Sequence, residues 1–147
     1  MAVRPIVTDS RLRRRAKPVR PYQDISGLVR DLRDTMEASG GVGIAAPQIG
    51  VPLAVCIVQD TVYVNPTIVR ASEGWDLMTE GCLSLPGYVA DVWRHVTVRV
   101  RAQDVNRHWF RSTLEDWSAR VIQHEVSHLE GRLITNDKFE NWRKEEV

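Results

Sequence analysis

Five residues near the C-terminus, His124-Glu125-Val126-Ser127-His128, constrain the fold more than any others in the chain. Histidines four apart share one face of an α-helix about a turn apart, so both imidazoles can reach a single ion. At roughly 100° per residue Glu125 falls beside that face, near enough to handle a water on the ion. The stretch therefore predicts a helix whose polar stripe is turned inward, with the rest of the chain supplying a pocket and a third ligand. H-E-x-x-H is a signature of zinc-type hydrolases, yet so short a pattern also arises by chance. The surrounding sequence has to decide.

A catalytic site of this kind wants three protein ligands and an open position. Gly131 stands where the extended form H-E-x-x-H-x-x-G-x-x-H requires glycine, but its last position is Ile134, which cannot ligate. Only 19 residues follow His128, too few for a ligand on a distant downstream helix, with Glu140 left as an alternative. Upstream stand Cys56, Cys82, His95 and His108. Cys56 lies in the apolar run Leu53-Ala54-Val55-Cys56-Ile57-Val58, where a free cysteine acts as a small buried hydrophobe. His95, on the Trp93/Arg99 face of an alternating segment, and His108, in a polar turn, read as surface histidines. Cys82 sits between Gly81 and Leu83 in a stretch punctuated by glycine and proline, where a thiolate can face a site. It is the best candidate, and as a ligand it would be deprotonated and add negative charge.

A length of 147 residues suits one domain, from 1 to 147, with 1–23 as a basic extended lead-in and 136–147 as a short charged tail. The apolar (43%) and charged (27%) fractions exclude a disordered chain. Net charge is +1, so no specific nucleic-acid partner is expected. Residues 1–20 hold seven cations against Asp9, leaving +6 there and −5 in the remainder; this reads as a solvated basic N-terminus rather than an RNA-facing patch. No apolar run approaches the ~18 residues of a membrane span. Arg13-Arg14-Arg15 is followed by no hydrophobic segment, so neither a Sec nor a twin-arginine signal fits. Two cysteines make no disulfide framework, and a cytoplasmic setting is expected.

Asp24 reads as the N-cap of a helix carrying Ile25, Leu28, Val29, Leu32 and Met36 at helical spacing, stopped by Gly40-Gly41. Leu53 to Val58 predicts a buried strand, Val62 to Val69 a short strand pair or bend, and Val92 to Arg101 one alternating strand with Arg94 on its apolar face. Trp109-Phe110 predicts a further strand. Ser112-x-x-Glu115 reads as a capping box opening the histidine helix, with Leu114, Trp117, Val121, His124 and His128 on one stripe.

Three blocks stand in order: Gly41-Val42-Gly43-Ile44-Ala45-Ala46-Pro47-Gln48, Glu80-Gly81-Cys82-Leu83-Ser84, and Gln123-His124-Glu125-Val126-Ser127-His128. Together they resemble the three motifs of the peptide deformylases, which remove the formyl group from the N-terminal methionine of new bacterial polypeptides. The likeness runs from about Pro5 to about Asp137. It implies an α+β fold, antiparallel β-sheets surrounding a central metal-binding helix, with an N-terminal helix. It further implies Cys82, His124 and His128 as metal ligands, Glu125 as general base, and Gln48 and the Leu83 N–H as donors to the oxyanion. Gly43 and Ile44 would meet the N-formylated peptide substrate. The implied cofactor is one divalent ion, Fe²⁺ in the cell, with Zn²⁺ or Ni²⁺ able to take the site.

The chain departs from the family pattern at Ser127, where H-E-x-D-H is usual. A carboxylate there would orient ligands, whereas serine brings no charge. Arg94 on its apolar strand needs a carboxylate partner, and the resemblance points to Glu80, so that Glu80, Arg94 and Ser127 form an outer layer around the ligands. Val89 replaces a frequent arginine near the substrate path, and Asp116 a frequent glycine. Many members continue into a longer C-terminal helix that helps dock the ribosome; with so short a tail here, ribosome docking is only weakly implied. Two alternatives to deformylation remain, a related amidase acting on another small N-acyl compound and a catalytically weak paralogue that binds metal or formylated peptide.

Overall fold

The computed structural model describes residues 2–135. Helix α1 (Ser26–Ala38) forms where the apolar spacing predicts it and buries Val29, Leu32 and Met36 along one stripe. The N-cap residue is Ile25, one position after the expected Asp24, and makes no side-chain cap bond; Asp24 Oδ1 accepts the Ser26 N–H at 2.9 Å from just outside the helix. Gly40, at φ +67°, turns the chain out of the helix, which a side-chain-bearing residue adopts only under strain.

Seven strands follow: β1 (Gly43–Ala45), β2 (Val55–Val58), β3 (Thr61–Ala71), β4 (Trp75–Gly81), β5 (Val89–His95), β6 (Thr97–Gln103) and β7 (Trp109–Glu115); α2 (Asp116–Leu129) closes the series. Five strands make one sheet in the order β1-β2-β3-β6-β7, and β4 pairs with β5 as a two-stranded sheet. Every ladder is antiparallel. The architecture is α+β, as expected.

At its β1–β2 end the larger sheet is buried on both faces. Ile44, Val55, Ile57 and Val64 pack with Leu32 and Met36 of α1. Ala45, Cys56, Val58 and Tyr63 pack with Ile122 and Val126 of α2. Burial on both sides is why Leu53 to Val58 reads as a continuous apolar run instead of an alternation. Strand β6 alternates: Val98, Val100 and Ala102 enter the α2-side core, and Arg99 and Arg101 point the other way.

Three sequence expectations are corrected. The expected capping box of Ser112 and Glu115 does not form: Ser112 lies within a strand, and Glu115 is itself the N-cap residue, with no side-chain cap bond. Residues 109–115 pair with β6 along their whole length, Ser112 opposite Val100, and a seven-residue ladder outweighs a cap worth about 1 kcal/mol. The helix starts at Asp116, whose φ of +52° makes the corner and explains why glycine suits that position. Leu114 thus belongs to the sheet, while Val121, His124 and His128 stay on the helix.

The alternating segment 92–101 is two strands in two sheets, divided at Val96. At the division Gln123 of α2 takes the place of a strand partner. Its Oε1 accepts the His95 N–H at 3.0 Å and its Nε2 donates to the His95 carbonyl at 2.9 Å. Residues 62–69, expected as a strand pair or bend, lie within one strand, Thr61–Ala71. Register shifts fall between Val64 and Thr67 and between Ile68 and Arg70. Pro66, which has no N–H to give the ladder, sits within the first.

The lead-in is extended apart from a 3₁₀ turn at Ser10–Arg13, which buries Leu12, and a turn at Pro21 and Tyr22 closed by the Gln23 N–H on the Arg20 carbonyl at 3.1 Å. The charged tail, 136–147, lies outside the described residues. No helix among the described residues is long and apolar enough to cross a membrane.

Candidate metal centre

Helix α2 carries His124 and His128 one turn apart with Glu125 beside them; Glu125 is 4% exposed and His128 only 1%. Cys82 follows directly on β4, whose last residues, Glu80 and Gly81, pair with Ala90 and Val89 of β5. The β4–β5 hairpin therefore delivers the thiol to the helix. The Cys82 Sγ lies 3.3 Å from His128 Nε2. One ligand atom each from Cys82, His124 and His128 falls within 4.8 Å of the others, and no other such trio of His, Cys, Asp or Glu occurs among the described residues.

Cys82 and His124 open on a cavity of about 420 Å³ walled by Gly43, Gln48, Leu83 and Glu125, with Val42, Met78 and Trp117 also lining it. Strand β1 forms the edge of the larger sheet, and its Gly43 stands against Glu125. A Cβ at Gly43 would come within 2.6 Å of Glu125 Oε2 and 2.8 Å of Val121 Cγ1, so only glycine leaves the carboxylate its place. Gln48 is held in a fixed sense. Its Oε1 accepts the Ala45 N–H at 2.9 Å, and its Nε2 points to Ser84 Oγ at 3.2 Å and Cys82 Sγ at 3.9 Å.

Behind His124 lies an ion cluster. Glu80 receives Arg94 through two bonds of 2.9 Å, Nε to Oε2 and Nη2 to Oε1. The same carboxylate meets Arg120 Nη1 at 2.5 Å and His124 Nδ1 at 3.0 Å. With Nδ1 committed to Glu80, His124 has its Nε2 left for an ion.

A family profile described as polypeptide deformylase matches residues 3–144. The chain belongs to the polypeptide deformylase family. It is 46% identical over 140 residues to a peptide deformylase of Symbiobacterium thermophilum, covering 90% of this chain and 64% of that one. With the peptide deformylase of Heliobacterium modesticaldum it shares 44% over 143 residues, 94% of this chain and 93% of the relative. A solved peptide deformylase of Legionella pneumophila superposes with a TM-score of 0.89 at 37% identity, covering 99% of this chain and 91% of that one. An actinonin-bound class I type b peptide deformylase of Acinetobacter baumannii superposes at 0.88 with 32% identity, covering 93% and 99%.

In this deformylase the donor set fits a divalent ion. One thiol and two imidazoles within reach of one another suit the softer first-row metals. Glu125 Oε1 is buried with no hydrogen-bond partner among the described residues, which leaves an acceptor free beside the ligands. Burial raises the Glu125 pKa to about 7, with His124 pulling it down and Glu80 pushing it up. Burial opposes charge on His124, but the Cys82 thiol and the Glu80 carboxylate outweigh it and hold the imidazole at about 10. His128 moves the other way, well below its usual range, through burial and the nearby His124 and Arg94. Two neighbouring imidazoles are thus driven apart, and a proton in the metal-free protein rests on His124.

Most residues expected at the site converge, and two do not. Ile44 is fully buried in the α1-side core, and its side chain does not line the cavity. Ser127 lines a separate hollow with Arg94 on another side of α2. Sequence reasoning missed Arg120 and Ser84. Arg120 was legible as a cation one helical turn before His124, in an otherwise apolar stretch. Nothing local marks Ser84 as the residue that steadies Gln48.

Proposed function

We propose that the chain is a metal-dependent peptide deformylase, hydrolysing the N-terminal formyl amide of formyl-methionyl peptides. The observation that carries this reading is the Cys82, His124 and His128 cluster with the buried, unpartnered Glu125 carboxylate beside it. Cys82, His124 and His128 would hold one divalent ion, Fe²⁺ in the cell, with Zn²⁺ or Ni²⁺ able to substitute. Bound there, the ion supplies Lewis acidity, acidifying water and polarising a carbonyl.

Glu125 acts as general base and then general acid. Buried with Oε1 free of any hydrogen-bond partner among the described residues, Glu125 is placed to take a proton first and then return it to the leaving amine. Gln48 Nε2 and the Leu83 N–H donate to the oxygen on which charge develops. A removed donor of this kind typically loses about 2.7–4 kcal/mol of barrier lowering. Since its Oε1 is anchored by Ala45, Gln48 presents Nε2 without reorganising.

The peptide would lie extended beside edge strand β1, with Gly43 allowing close approach, so main-chain bonds fix its register. The main chain, rather than the buried side chain, is what Ile44 has to offer. Val42, Met78 and Trp117 give the residue after the formyl group an apolar wall. Substrate chemistry places the reaction where new chains are made, in the cytoplasm.

The test is turnover of formyl-Met-Ala and acetyl-Met-Ala peptides by Ni²⁺-loaded protein. Robust release from the formyl peptide alone supports the reading. Preference for the acetyl peptide would transfer the site to the related amidase.

A further inference from the structure

The sheet face that α1 covers over β1 and β2 runs on uncovered across β6 and β7. Antiparallel register sets its side chains in opposite pairs: Arg70 faces Arg99, and Thr67 faces Arg101 across β3–β6. Across β6–β7, Arg101 also faces Arg111, and Gln103 faces Trp109. Arg70, Arg99 and Arg111 are exposed and Arg101 is half-buried. None of the four forms an ion pair among the described residues. The one acid in β7, Glu115, stands at the far end opposite Thr97.

Like charges set directly opposite in a ladder destabilise it, and this face carries two such pairs. Folding gains nothing from them. The Arg101 guanidinium carbon lies 3.7 Å from the centre of the Trp109 ring, and that indole is 51% exposed. Between Arg70 and Arg99 is a hollow of about 290 Å³, edged by the hydroxyl residues Ser72, Thr97 and Thr113. Four cations, hydroxyl donors and an aromatic on an uncovered sheet are the components of a backbone-reading nucleic-acid surface.

We propose that this face binds the phosphodiester backbone of a single nucleic-acid strand. Arg70, Arg99, Arg101 and Arg111 take phosphates, and Trp109 offers a surface on which a base stacks. The guanidinium fork matches a phosphate's oxygens better than a point charge would. A membrane surface fits less well, since insertion needs a continuous apolar stripe and beside these arginines stand only Trp109 and the exposed Val69. Phosphate contacts and ring stacking are made alike by every base, so binding is independent of sequence. The near-zero net charge of the chain conceals this local excess.

Fluorescence anisotropy with a labelled oligo-U RNA of about 12 nucleotides, a length within the usual site sizes, tests the proposal on the full metal-loaded chain. Four phosphate contacts at about 0.7 each predict a log–log salt slope near −2.8, about a 50-fold loss between roughly 50 and 200 mM salt. Arg99→Gln combined with Arg101→Gln should halve that slope, weaken binding by about tenfold or more at low salt, and leave formyl-peptide turnover unchanged. Because relief of both like-charge pairs offsets the lost Arg101–Trp109 and Arg99–Thr113 contacts, the same double variant should melt close to the parent, which separates lost binding from lost folding. Equal binding of oligo-dT would leave the proposal standing for either backbone. No binding at low salt, full binding by the double variant, or binding to anionic phospholipid vesicles without binding to RNA would overturn it.

Discussion

Glu80 Oε1 lies 3.0 Å from His124 Nδ1, and the same carboxylate is gripped by the guanidinium groups of Arg94 and Arg120. One acid thus joins three elements: β4 supplies Glu80, β5 supplies Arg94, and α2 supplies both Arg120 and His124. The cluster fixes the imidazole ring in the sense that leaves Nε2 for an ion, and it ties the hairpin carrying Cys82 to the helix carrying the histidines.

Replacing Glu80 by Gln keeps the shape and removes the charge. Metal affinity should fall by about 10–100-fold, the usual consequence of losing the partner behind a ligand histidine. Leaving two buried guanidinium groups without their carboxylate should lower stability by about 3–5 kcal/mol. Metal titration and urea unfolding of the metal-free protein measure the two effects; unchanged affinity would remove Glu80 from the ligand-orienting role.

Acid should erase part of that difference. Burial alone would raise the Glu80 pKa, but the bonds from His124 and Arg94 hold it far below the ordinary 4.5. A carboxyl depressed on folding contributes stability that is present above its unfolded value and lost as pH falls toward the folded one. The gap in unfolding free energy between the parent and Glu80→Gln should therefore be full at neutral pH and shrink below about 4.5. A gap that widened on acidification would reverse the sign of this linkage.

At Gly43 a single methyl group tests the crowding beside the base. Its Cβ would press on Glu125 Oε2 and Val121 Cγ1 at 2.6 and 2.8 Å. Gly43→Ala should lower stability by about 1–3 kcal/mol, as overpacking does, and reduce turnover because Glu125 must move. Metal content should be kept, since Gly43 offers no ligand. Wild-type turnover in this variant would mean that the carboxylate has room the packing denies.

Ser127, 6% exposed, shares its hollow with Arg94 rather than with the ligand cavity. Ser127→Asp adds a carboxylate on the side of Arg94 away from the site and should raise metal retention and turnover through the Glu80 cluster, by up to about tenfold. If neither quantity changed, position 127 would have no part in tuning the centre.

Much of this was legible in the sequence where a residue's chemistry and its local period agree. His124 and His128 at helical spacing, Cys82 in a punctuated loop, and Arg94 as the lone charge on the apolar face of its strand segment each announce a buried partner, and those partners converge. What escaped depends on contacts distant in the chain. Ser112 and Glu115 have the spacing of a cap, yet the ladder with β6 claims them. Nothing in the alternation from Val92 to Arg101 marks the change of sheet, because Gln123, far downstream, replaces the strand partner at His95. The cross-strand arginines are invisible for the same reason: Arg70 and Arg99 meet only once register is known.

The central claim is that Glu125 moves protons beside an ion held by Cys82, His124 and His128. Formyl-Met-Ala turnover by Ni²⁺-loaded parent and Glu125→Gln protein, with bound nickel measured on the same samples, tests it most directly. The account predicts one ion per chain in both and a loss of about 10²–10⁴-fold in kcat for the variant. Equal turnover by the two, at equal metal content, would contradict it.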